Sequence, residues 1–195
     1  MNIKLVLASQ SPARLMLLKQ MGIIPDQVMV SDIDETEKKG EKPDKLALRL
    51  AQEKALAIAN QINDAIIIGA DTVPVCQGKI MRKASSVDDI MASLEILSGR
   101  RHRVFTGVCV IKKIENDFIT RTSLVKTIIK FRHISKQEIE HYAHLEEGIG
   151  KAGGYTLHGY AESFVSYISG SFSNVIGLPL SQTQKLLAAC SLKMY

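Results

Sequence analysis

Two serines and an arginine follow the first apolar segment of the chain in an arrangement suited to binding phosphate. Residues 4–8 are largely apolar, and Ser9, Ser11 and Arg14 come directly after them. Pro12 stands where a first-turn proline belongs, with Ser11 as the candidate N-cap, so the segment is predicted as strand, polar turn and helix. Phosphate oxygens accept hydrogen bonds from several donors and a fixed cation. A capped helix with a surface arginine would show the same local pattern.

A carboxylate and a threonine follow a second apolar run. Residues 65–70 are apolar without alternation, as expected of a buried central strand, and Asp71 and Thr72 are predicted at its C-terminal end. In open α/β sheets the ligand crevice lies outside the carboxyl ends of the strands. A carboxylate at the edge of a dry core is usually paired, metal-bound or catalytic, because an unpaired buried charge is costly.

An acidic segment offers further oxygen ligands. Asp32, Asp34 and Glu35 lie within four residues of each other. One of them could join Asp71 in binding a hard cation such as Mg²⁺. A solvated acidic loop is the alternative, and the segment alone does not decide between them.

Three lysines and two histidines complete the candidates. Lys54 lies close to the apolar face of a predicted helix, and it could neutralise phosphate together with Lys83 and Lys151. Isolated lysines are usually solvated, so their pattern alone does not assign this role. His102 and His158 suggest a general base, but the chain lacks the G-x-S-x-G nucleophile pattern. It also lacks the P-loop and the dinucleotide-binding glycine pattern.

The elements that must position these residues alternate between helix and strand, which is typical of an α/β protein. The spacing predicts strands at residues 4–8, 65–70, 104–112 and 122–131, and helices at residues 12–21, 43–62, 86–98, 135–145 and 180–192. Glycine is dense from residue 148 to 177, which indicates loops where backbone can approach a ligand, or plain turns. Neither a repeat nor a linker divides residues 1–195, so we predict one domain, with one or two lobes.

Composition limits the class of protein. The chain has 195 residues, of which 46% are hydrophobic and 23% charged, and this is enough to bury a sizeable core. The first residues show neither a signal peptide nor a membrane span, so we expect a cytoplasmic protein. Three cysteines without a C-x-x-C pair suggest neither a disulfide framework nor a zinc site. A net charge of +5 permits an anionic partner, but only 5% aromatic residues argue against a nucleic-acid binder.

Several blocks of the sequence, in order along nearly the whole chain, resemble the Maf family, historically called septum-formation inhibitors. The opening Leu7-Ala8-Ser9-Gln10-Ser11-Pro12-Ala13-Arg14 is similar to the family signature L-A-S-x-S-P-R-R. The further blocks are Asp34-Glu35-Thr36, Glu53-Lys54-Ala55, Gly69-Ala70-Asp71-Thr72-Val73, Leu97-Ser98-Gly99-Arg100, Thr106-Gly107-Val108, Lys151-Ala152-Gly153-Gly154-Tyr155, Gly170-Ser171 and Asn174-Val175-Ile176-Gly177-Leu178-Pro179-Leu180.

The resemblance implies a fold and a reaction. The fold would be α/β, with a mixed central sheet, flanking helices and two lobes around a cleft, similar to inosine triphosphate pyrophosphatases of the Ham1 type. The reaction would be attack of water on the α-phosphorus of a nucleoside triphosphate, releasing pyrophosphate and a nucleoside monophosphate, with Mg²⁺ or Mn²⁺. The resemblance also suggests a homodimer that acts in house-cleaning of the nucleotide pool, with a link to arrest of cell division.

The same resemblance assigns roles to residues. Asp71 would accept the proton, and Asp71 and Glu35 would hold the metal; Lys54 and Lys83 are catalytic candidates that also bind phosphate. The remaining substrate-binding candidates are Ser9, Ser11, Arg14, Thr72, Lys151 and His158.

Three positions depart from the family pattern. Ala13 replaces a second arginine, Ala84 follows Lys83 where proline is common, and His158 replaces the glutamine of members that resemble dTTP/UTP pyrophosphatases. Thr72 matches those members, whereas Ala13 and His158 do not. The preferred base therefore stays open between thymidine, uridine and modified nucleotides.

Two other functions compete with the pyrophosphatase. A regulator of septum formation could bind nucleotides or nucleic acid without strong catalysis, and a phosphatase would release single phosphates. Retention of both Asp71 and Glu35 favours catalysis, because a binding protein needs the cations but has less use for the carboxylates.

Overall fold

Seven strands and six α-helices make up the fold of the computed structural model, which describes residues 3–115 and 117–190. The strands are β1 (Lys4–Ala8), β2 (Gln27–Met29), β3 (Ala65–Cys76), β4 (Lys79–Ile80), β5 (Arg101–Ile114), β6 (Asp117–Phe131) and β7 (Val165–Ser169). The helices are α1 (Pro12–Gln20), α2 (Pro43–Ala59), α3 (Val87–Leu97), α4 (Lys136–His144), α5 (Phe172–Ile176) and α6 (Leu180–Ala189), with a 3₁₀ turn at Tyr160–Phe164.

The strands form one mixed sheet in the order β2-β1-β3-β5-β6-β7, and β4 pairs with β3. Strand β1 lies parallel to both β2 and β3, with Val6 opposite Ile67 and Ala8 opposite Gly69. The pairs β3–β4 and β6–β7 are antiparallel. The predicted α/β class with a mixed sheet is therefore confirmed.

Local sequence signals set the helix starts close to where they were expected, whereas α2 ends at Ala59 and not at the predicted residue 62. Pro12 begins α1, and Ser11 occupies the N-cap position as predicted, although its side chain makes no capping hydrogen bond. The Ser86 hydroxyl accepts a hydrogen bond from the backbone N–H of Asp89 at the start of α3. Ser135 and Glu138 form a complete capping box at the start of α4. Each of these signals acts within a few residues, which explains why the sequence predicts them well.

The described chain divides into two compact units, each assembled from separate segments. The first comprises residues 3–71, 106–115, 117–125 and 177–190, and the second comprises residues 72–105 and 126–176. In the first unit, α2 packs against apolar residues of β1, β3 and β5, such as Val6, Ile67 and Cys109. In the second, Phe131, Tyr142 and neighbouring aromatic and aliphatic residues form a separate core. Two lobes were predicted and two units are found, whereas a single domain stays a prediction.

Strand β3 is longer than predicted, and this corrects the position assigned to Asp71. The strand continues through Asp71 and Thr72 to Cys76 instead of ending at Ala70. Residues 73–76 are apolar and buried, and Val75 pairs with Ile80 of β4. Asp71 and Thr72 are therefore interior residues of a strand.

Other differences lie in short or exposed elements. Strands β2, β4 and β7 and helix α5 were not predicted, because they contain at most five residues and show little alternation between buried and exposed positions. Strands β5 and β6 begin earlier than their apolar patterns suggest. Helix α6 begins at Leu180 as predicted, while residues 191 and 192 of the predicted helix lie outside the described residues.

The three cysteines are buried thiols. In the part of the chain that the structure describes, no helix combines the length and the apolar character needed to cross a membrane.

Candidate active site

The ammonium group of Lys54 lies between two carboxylates. Its Nζ is 2.6 Å from Oδ1 of Asp71 and 2.7 Å from Oε1 of Glu35. The side chains of Lys54 and Asp71 are 7% and 9% exposed, whereas that of Glu35 is 40% exposed. All three residues belong to the first unit. Lys54 therefore joins a buried strand carboxylate to a carboxylate of the more exposed acidic segment.

Close packing of α2 on the sheet brings Lys54 to Asp71. Helix α2 presents a row of buried alanines to the strands, namely Ala47, Ala51, Ala55 and Ala59. A Cβ atom added at Gly69 would lie only 2.7 Å from the backbone nitrogen of Ala55. Residues i and i+2 of a strand share a face, so Asp71 lies on the same face as Gly69, two positions further along. Lys54, next to Ala55, is thereby placed beside Asp71.

This contact explains how a carboxylate can occupy the interior of β3. Asp71 is 6% exposed, and an isolated charge at such a position would be strongly unfavourable. A charge-assisted hydrogen bond from Lys54 compensates for the lost hydration. Of the three states expected for such a carboxylate, namely paired, metal-bound or catalytic, the structure shows the first, and the predicted place of Asp71 at a strand end was wrong.

The turn after β1 is organised around the hydroxyl of Ser9. Its oxygen accepts hydrogen bonds from the backbone N–H of Ser11 and from Nη1 of Arg14, both at 3.1 Å. The Nε of Arg14 donates to the carbonyl of Gly177 at 2.9 Å. Ser9 is buried, and Arg14 and Ser11 are half-buried. The structure thus brings the three predicted phosphate-binding residues together at the start of α1.

Arg14 also lies within electrostatic range of the lysine-bridged carboxylates. Burial lowers the pKa of its guanidinium group, while the negative charges of Asp71 and Glu35 act in the opposite direction. Two cations, Lys54 and Arg14, thus balance two carboxylates in this cluster. Its formal charge is zero, so it does not by itself neutralise a triphosphate.

Within the predicted acidic segment, Glu35 contacts Lys54. Asp34 instead accepts a hydrogen bond from the backbone N–H of Thr36, and Asp32 is exposed. Among residues 3–115 and 117–190, no group of three or more His, Cys, Asp or Glu side chains is arranged to hold a metal ion.

In the second unit, backbone pairing places two of the predicted lysines on neighbouring segments. Lys83 is opposite Ala152 in an isolated antiparallel bridge, and the backbone N–H of Ala84 donates to the carbonyl of Lys151. The chain turns tightly here, since Gly150 has a φ of 72°, a conformation that favours glycine. Lys83 is exposed and Lys151 is half-buried.

Thr156 fixes the ring of His158 in the same unit. The Oγ1 of Thr156 lies 2.7 Å from Nδ1 of His158, which is exposed. Partial burial lowers the pKa of His158, and the charge of Lys151 lowers it further, whereas Glu147 raises it. The imidazole is therefore neutral near pH 7. Thr72, the other predicted base-binding residue, is half-buried on β3.

The other histidine considered as a general base, His102, is part of the core of the second unit. Its Nε2 lies 2.7 Å from the hydroxyl of Tyr155, and its ring contacts those of Phe131 and Tyr155 edge to face. Burial lowers the pKa of His102 to about 4. A structural role explains these contacts.

Two features of the site were missed in the sequence. Gly69 belongs to a recognised block, but its close approach to α2 depends on packing between distant segments. Arg49 contacts Glu41 and Glu53, and the i,i+4 spacing of Arg49 and Glu53 was the available signal.

The fold is α/β, and its candidate site combines two carboxylates joined by a lysine with an arginine in the first turn of a helix. Carboxylates can bind a cation, and the arginine and helix N-terminus can bind an anion, so the site belongs to the class that could bind an anionic substrate together with a metal ion. Residues 4–190 match the model of the family described as Maf-like protein. The chain therefore belongs to the Maf family.

Curated relatives match almost the full chain. A protein of Rickettsia felis named "Nucleoside triphosphate pyrophosphatase" is 50% identical over 196 residues, which cover 100% of this chain and 96% of the relative. A protein of the same name from Rickettsia rickettsii is 52% identical over 190 residues, covering 96% of this chain and 88% of the relative.

Solved structures are more distant. The Ham1 protein of Staphylococcus aureus is 19% identical, with a TM-score of 0.40, and the match covers 64% of this chain and 71% of that one. A HAM1 protein of Coxiella burnetii is 14% identical, with a TM-score of 0.38 and coverage of 66% and 73%.

Proposed function

We propose that this protein is a nucleoside triphosphate pyrophosphatase, which hydrolyses a nucleoside triphosphate to the monophosphate and pyrophosphate. The observation that supports this most is the contact of Lys54 with both Asp71 and Glu35, with Arg14 in electrostatic range. Membership of the Maf family and two relatives of this name at 50% and 52% identity support the same activity.

In the proposed reaction, Asp71 accepts a proton from water. The water oxygen forms a bond to the α-phosphorus, and the bond from that phosphorus to the bridging oxygen breaks, so that pyrophosphate leaves with the electron pair. Asp71 suits this role because a fixed, desolvated carboxylate can orient the water and take its proton. Lys54 holds Asp71 in place and supplies positive charge beside the phosphates, and phosphoryl transfer depends mainly on such positioning and charge stabilisation.

Asp71 and Glu35 would also hold a divalent cation, Mg²⁺ or Mn²⁺. Both carboxylates face one ammonium group, so this position already favours a positive charge. Mg²⁺ is commonly bound by one or two carboxylates together with substrate phosphates, and this pair of residues fits that mode. The cation would supply charge neutralisation to the triphosphate, which the neutral cluster of Lys54, Arg14, Asp71 and Glu35 lacks.

The remaining candidates divide between phosphate and base. Ser9, Ser11 and Arg14 offer hydroxyl, backbone and guanidinium donors at the start of α1, a geometry that suits phosphate oxygens. For the second unit, we assign phosphate contacts to Lys83 and Lys151 and base contacts to Thr72 and His158. Resemblance to the family supports these four assignments.

The cellular setting is a further part of the proposal. We assign the protein to the cytoplasm, where it would remove surplus or modified nucleotides, including thymidine and uridine triphosphates, as a homodimer without nucleic-acid or membrane partners. The family resemblance and the low aromatic content of the chain support this assignment.

The test compares Asp71→Asn with the wild-type protein. We expect the variant to keep its melting temperature within a few degrees and to lose about a hundredfold or more in kcat, the usual scale for a missing general base. Asp88→Asn, which neutralises an exposed carboxylate in the first turn of α3, is the control and should keep full activity. Near-normal turnover by Asp71→Asn would refute its assignment as the base.

Product analysis separates the proposed enzyme from its competitors. Pyrophosphate and monophosphate in equal amounts support the pyrophosphatase, and orthophosphate as the first product would indicate a phosphatase. Nucleotide binding without turnover would favour the regulatory binding protein. Activity should disappear in excess EDTA and return with Mg²⁺ or Mn²⁺, and full activity in EDTA would show that the metal is dispensable.

A further inference from the structure

Arg49 connects helix α2 to the segment that follows Glu35. Its Nε and Nη2 donate to the two carboxylate oxygens of Glu41, at 2.7 and 2.8 Å. Nη2 also donates to the carbonyl of Thr36 at 3.0 Å, and Nη1 donates to Glu53 at 2.9 Å. Since Thr36 directly follows Glu35, the guanidinium group holds the peptide next to the carboxylate that contacts Lys54.

The segment from residue 34 to residue 41, here called the latch segment, is closed by its own hydrogen bonds. The backbone N–H of Thr36 donates to Asp34, and the backbone N–H of Lys38 donates to Glu41. Residues 34–40 are all exposed. The segment therefore has internal structure but little burial to hold it in place.

Apolar packing is interrupted where the latch segment approaches α2. A groove of about 550 Å³ lies here, and Ile33, Thr36, Leu56 and Asn60 are among its lining residues. Because the groove replaces close packing, the polar contacts of Arg49 become more important for the position of the segment. Internal hydrogen bonds of the segment do not substitute for them, since they do not reach α2.

The pair between Arg49 and Glu41 has the geometry of a strong ion pair. The two side chains are 16% and 10% exposed, and the hydrogen bonds are bidentate. The hydrogen bonds from Arg49 lower the pKa of Glu41 to about 2. Glu41 thus stays ionised at neutral pH, and its charge is available to Arg49 there.

We propose that Arg49 is a positioning residue that holds Glu35 against Lys54 by fixing the latch segment to α2. The inference rests on the proposed function, in which Glu35 helps to hold the divalent cation. Helix α2 then supplies Lys54, whose ammonium group contacts Glu35, and Arg49, which supports the backbone next to Glu35. Loss of Arg49 would leave the chemical groups intact but let Glu35 move away from Asp71.

Replacement of Arg49 by lysine tests this role, because lysine keeps the charge but cannot reproduce the bidentate contact. The matched control is Arg132→Lys in the second unit, where Arg132 donates to Glu138 at 2.7 Å and to the carbonyl of Ser163. Both variants remove an arginine that joins a glutamate and a backbone carbonyl. Melting temperatures of the two variants measure the general cost of such a change.

The kinetic experiment uses a nucleoside triphosphate and a titration with Mg²⁺. For Arg49→Lys we expect kcat to fall about tenfold and the Mg²⁺ concentration for half-maximal activity to rise about fivefold, because positioning errors of this kind act on the reacting groups. The KM for the nucleotide at saturating Mg²⁺ should change less than about twofold. Arg132→Lys should keep all three constants within about twofold. Unchanged kcat and Mg²⁺ dependence in Arg49→Lys, whatever its melting temperature, would overturn the proposal.

Hydrogen exchange provides a measurement without substrate. Amides of residues 36–41 should exchange about tenfold faster in Arg49→Lys than in wild type, while those of α2 stay protected. Glu41→Gln breaks the same pair from the other side and should give the same pattern, which also covers failure of Arg49→Lys to fold. Unchanged exchange in residues 36–41 would refute the proposal that Arg49 fixes the latch segment to α2, even if the enzyme is active. A wild-type protein without pyrophosphatase activity would instead refute the proposed function.

Discussion

Replacing Gly69 by alanine tests whether close packing of α2 sets the geometry of the site. Gly69 lies on β3 opposite Ala55, and an added Cβ would be 2.7 Å from the backbone nitrogen and 2.9 Å from the Cβ of Ala55. It would also contact the carbonyl oxygen of Ala51. The obstruction is helix backbone, which cannot turn aside as a flexible side chain would.

The expected displacement follows from these distances. Ordinary contacts of a Cβ begin at 3.4 Å, so relief of the 2.7 Å contact requires the helix to move by the difference, 0.7 Å, and relief of the closer contact with the Ala51 oxygen requires more. Overpacking of this kind costs about 1–3 kcal/mol, which corresponds to a fall in melting temperature of about 2–12 °C for a protein of this size. The hydrogen bond from Lys54 to Asp71, now 2.6 Å, would lengthen beyond the normal range.

Activity should fall more than stability alone explains. A misplacement approaching 1 Å near reacting groups can cost about a hundredfold, so we expect kcat to decrease about 10- to 100-fold at a temperature where the variant is fully folded. The assay measures pyrophosphate release, with folding followed by circular dichroism.

Gly107→Ala is the matched control. Its Cβ would lie 2.7 Å from Cα of Leu48, on the same helix but about two turns before Lys54. It should lower the melting temperature by a similar amount and reduce kcat less, by about tenfold at most, because its obstruction lies beside Arg49 and not beside Lys54. Equal losses of activity in both variants, or a kcat for Gly69→Ala within twofold of wild type, would refute the argument that packing at Gly69 positions Lys54.

Three further predictions concern other residues. The pKa of His102 is about 4 in the folded protein against 6.5 for an ordinary histidine, so its contribution to stability is full above pH 6.5 and decreases by about 3 kcal/mol as the pH falls through this range. Urea unfolding at several pH values should show this decrease in wild type but not in His102→Leu, and equal slopes would refute it. Arg14→Ala and Lys83→Ala should each weaken kcat/KM for all nucleoside triphosphates alike, and a reordered preference would contradict a phosphate role. His158→Gln should sharpen selection of uridine and thymidine triphosphates by about ten- to a hundredfold in kcat/KM, and an unchanged ranking would show that His158 does not contact the base.

The elements with local signals were predictable from the sequence. Pro12 begins α1, and the capping box of Ser135 and Glu138 begins α4, because each signal involves residues within one helical turn. The apolar run at residues 65–70 likewise identified the central strand. The predicted end of β3 was wrong. The charge of Asp71 suggests a strand end unless its partner Lys54, 17 residues earlier, is known.

The candidate site could be predicted as a set of residues but not as an arrangement. Asp71, Glu35 and Lys54 were identified through motif blocks, yet no local pattern indicates that one ammonium group contacts both carboxylates. Arg49 was overlooked because an arginine next to an acidic residue on a helix usually forms a weak surface pair. Its bidentate contact with Glu41 depends on how the exposed latch segment folds back on α2.

The arrangement of charges explains how a carboxylate is tolerated inside β3 and how the proposed reaction would use the same residues. Lys54 and Arg14 balance Asp71 and Glu35, and this compensates for the burial of a carboxylate in β3. A triphosphate with its divalent cation would bring both negative and positive charge to this cluster, so that each of the four groups finds a partner of opposite sign. Removing Lys54 alone would leave the buried carboxylate of Asp71 without its main partner, whereas the double variant has no carboxylate there. Lys54→Met should therefore destabilise the protein more than the double variant Lys54→Met/Asp71→Asn. Urea unfolding of the two variants measures this difference, and a double variant that is less stable than Lys54→Met would contradict it.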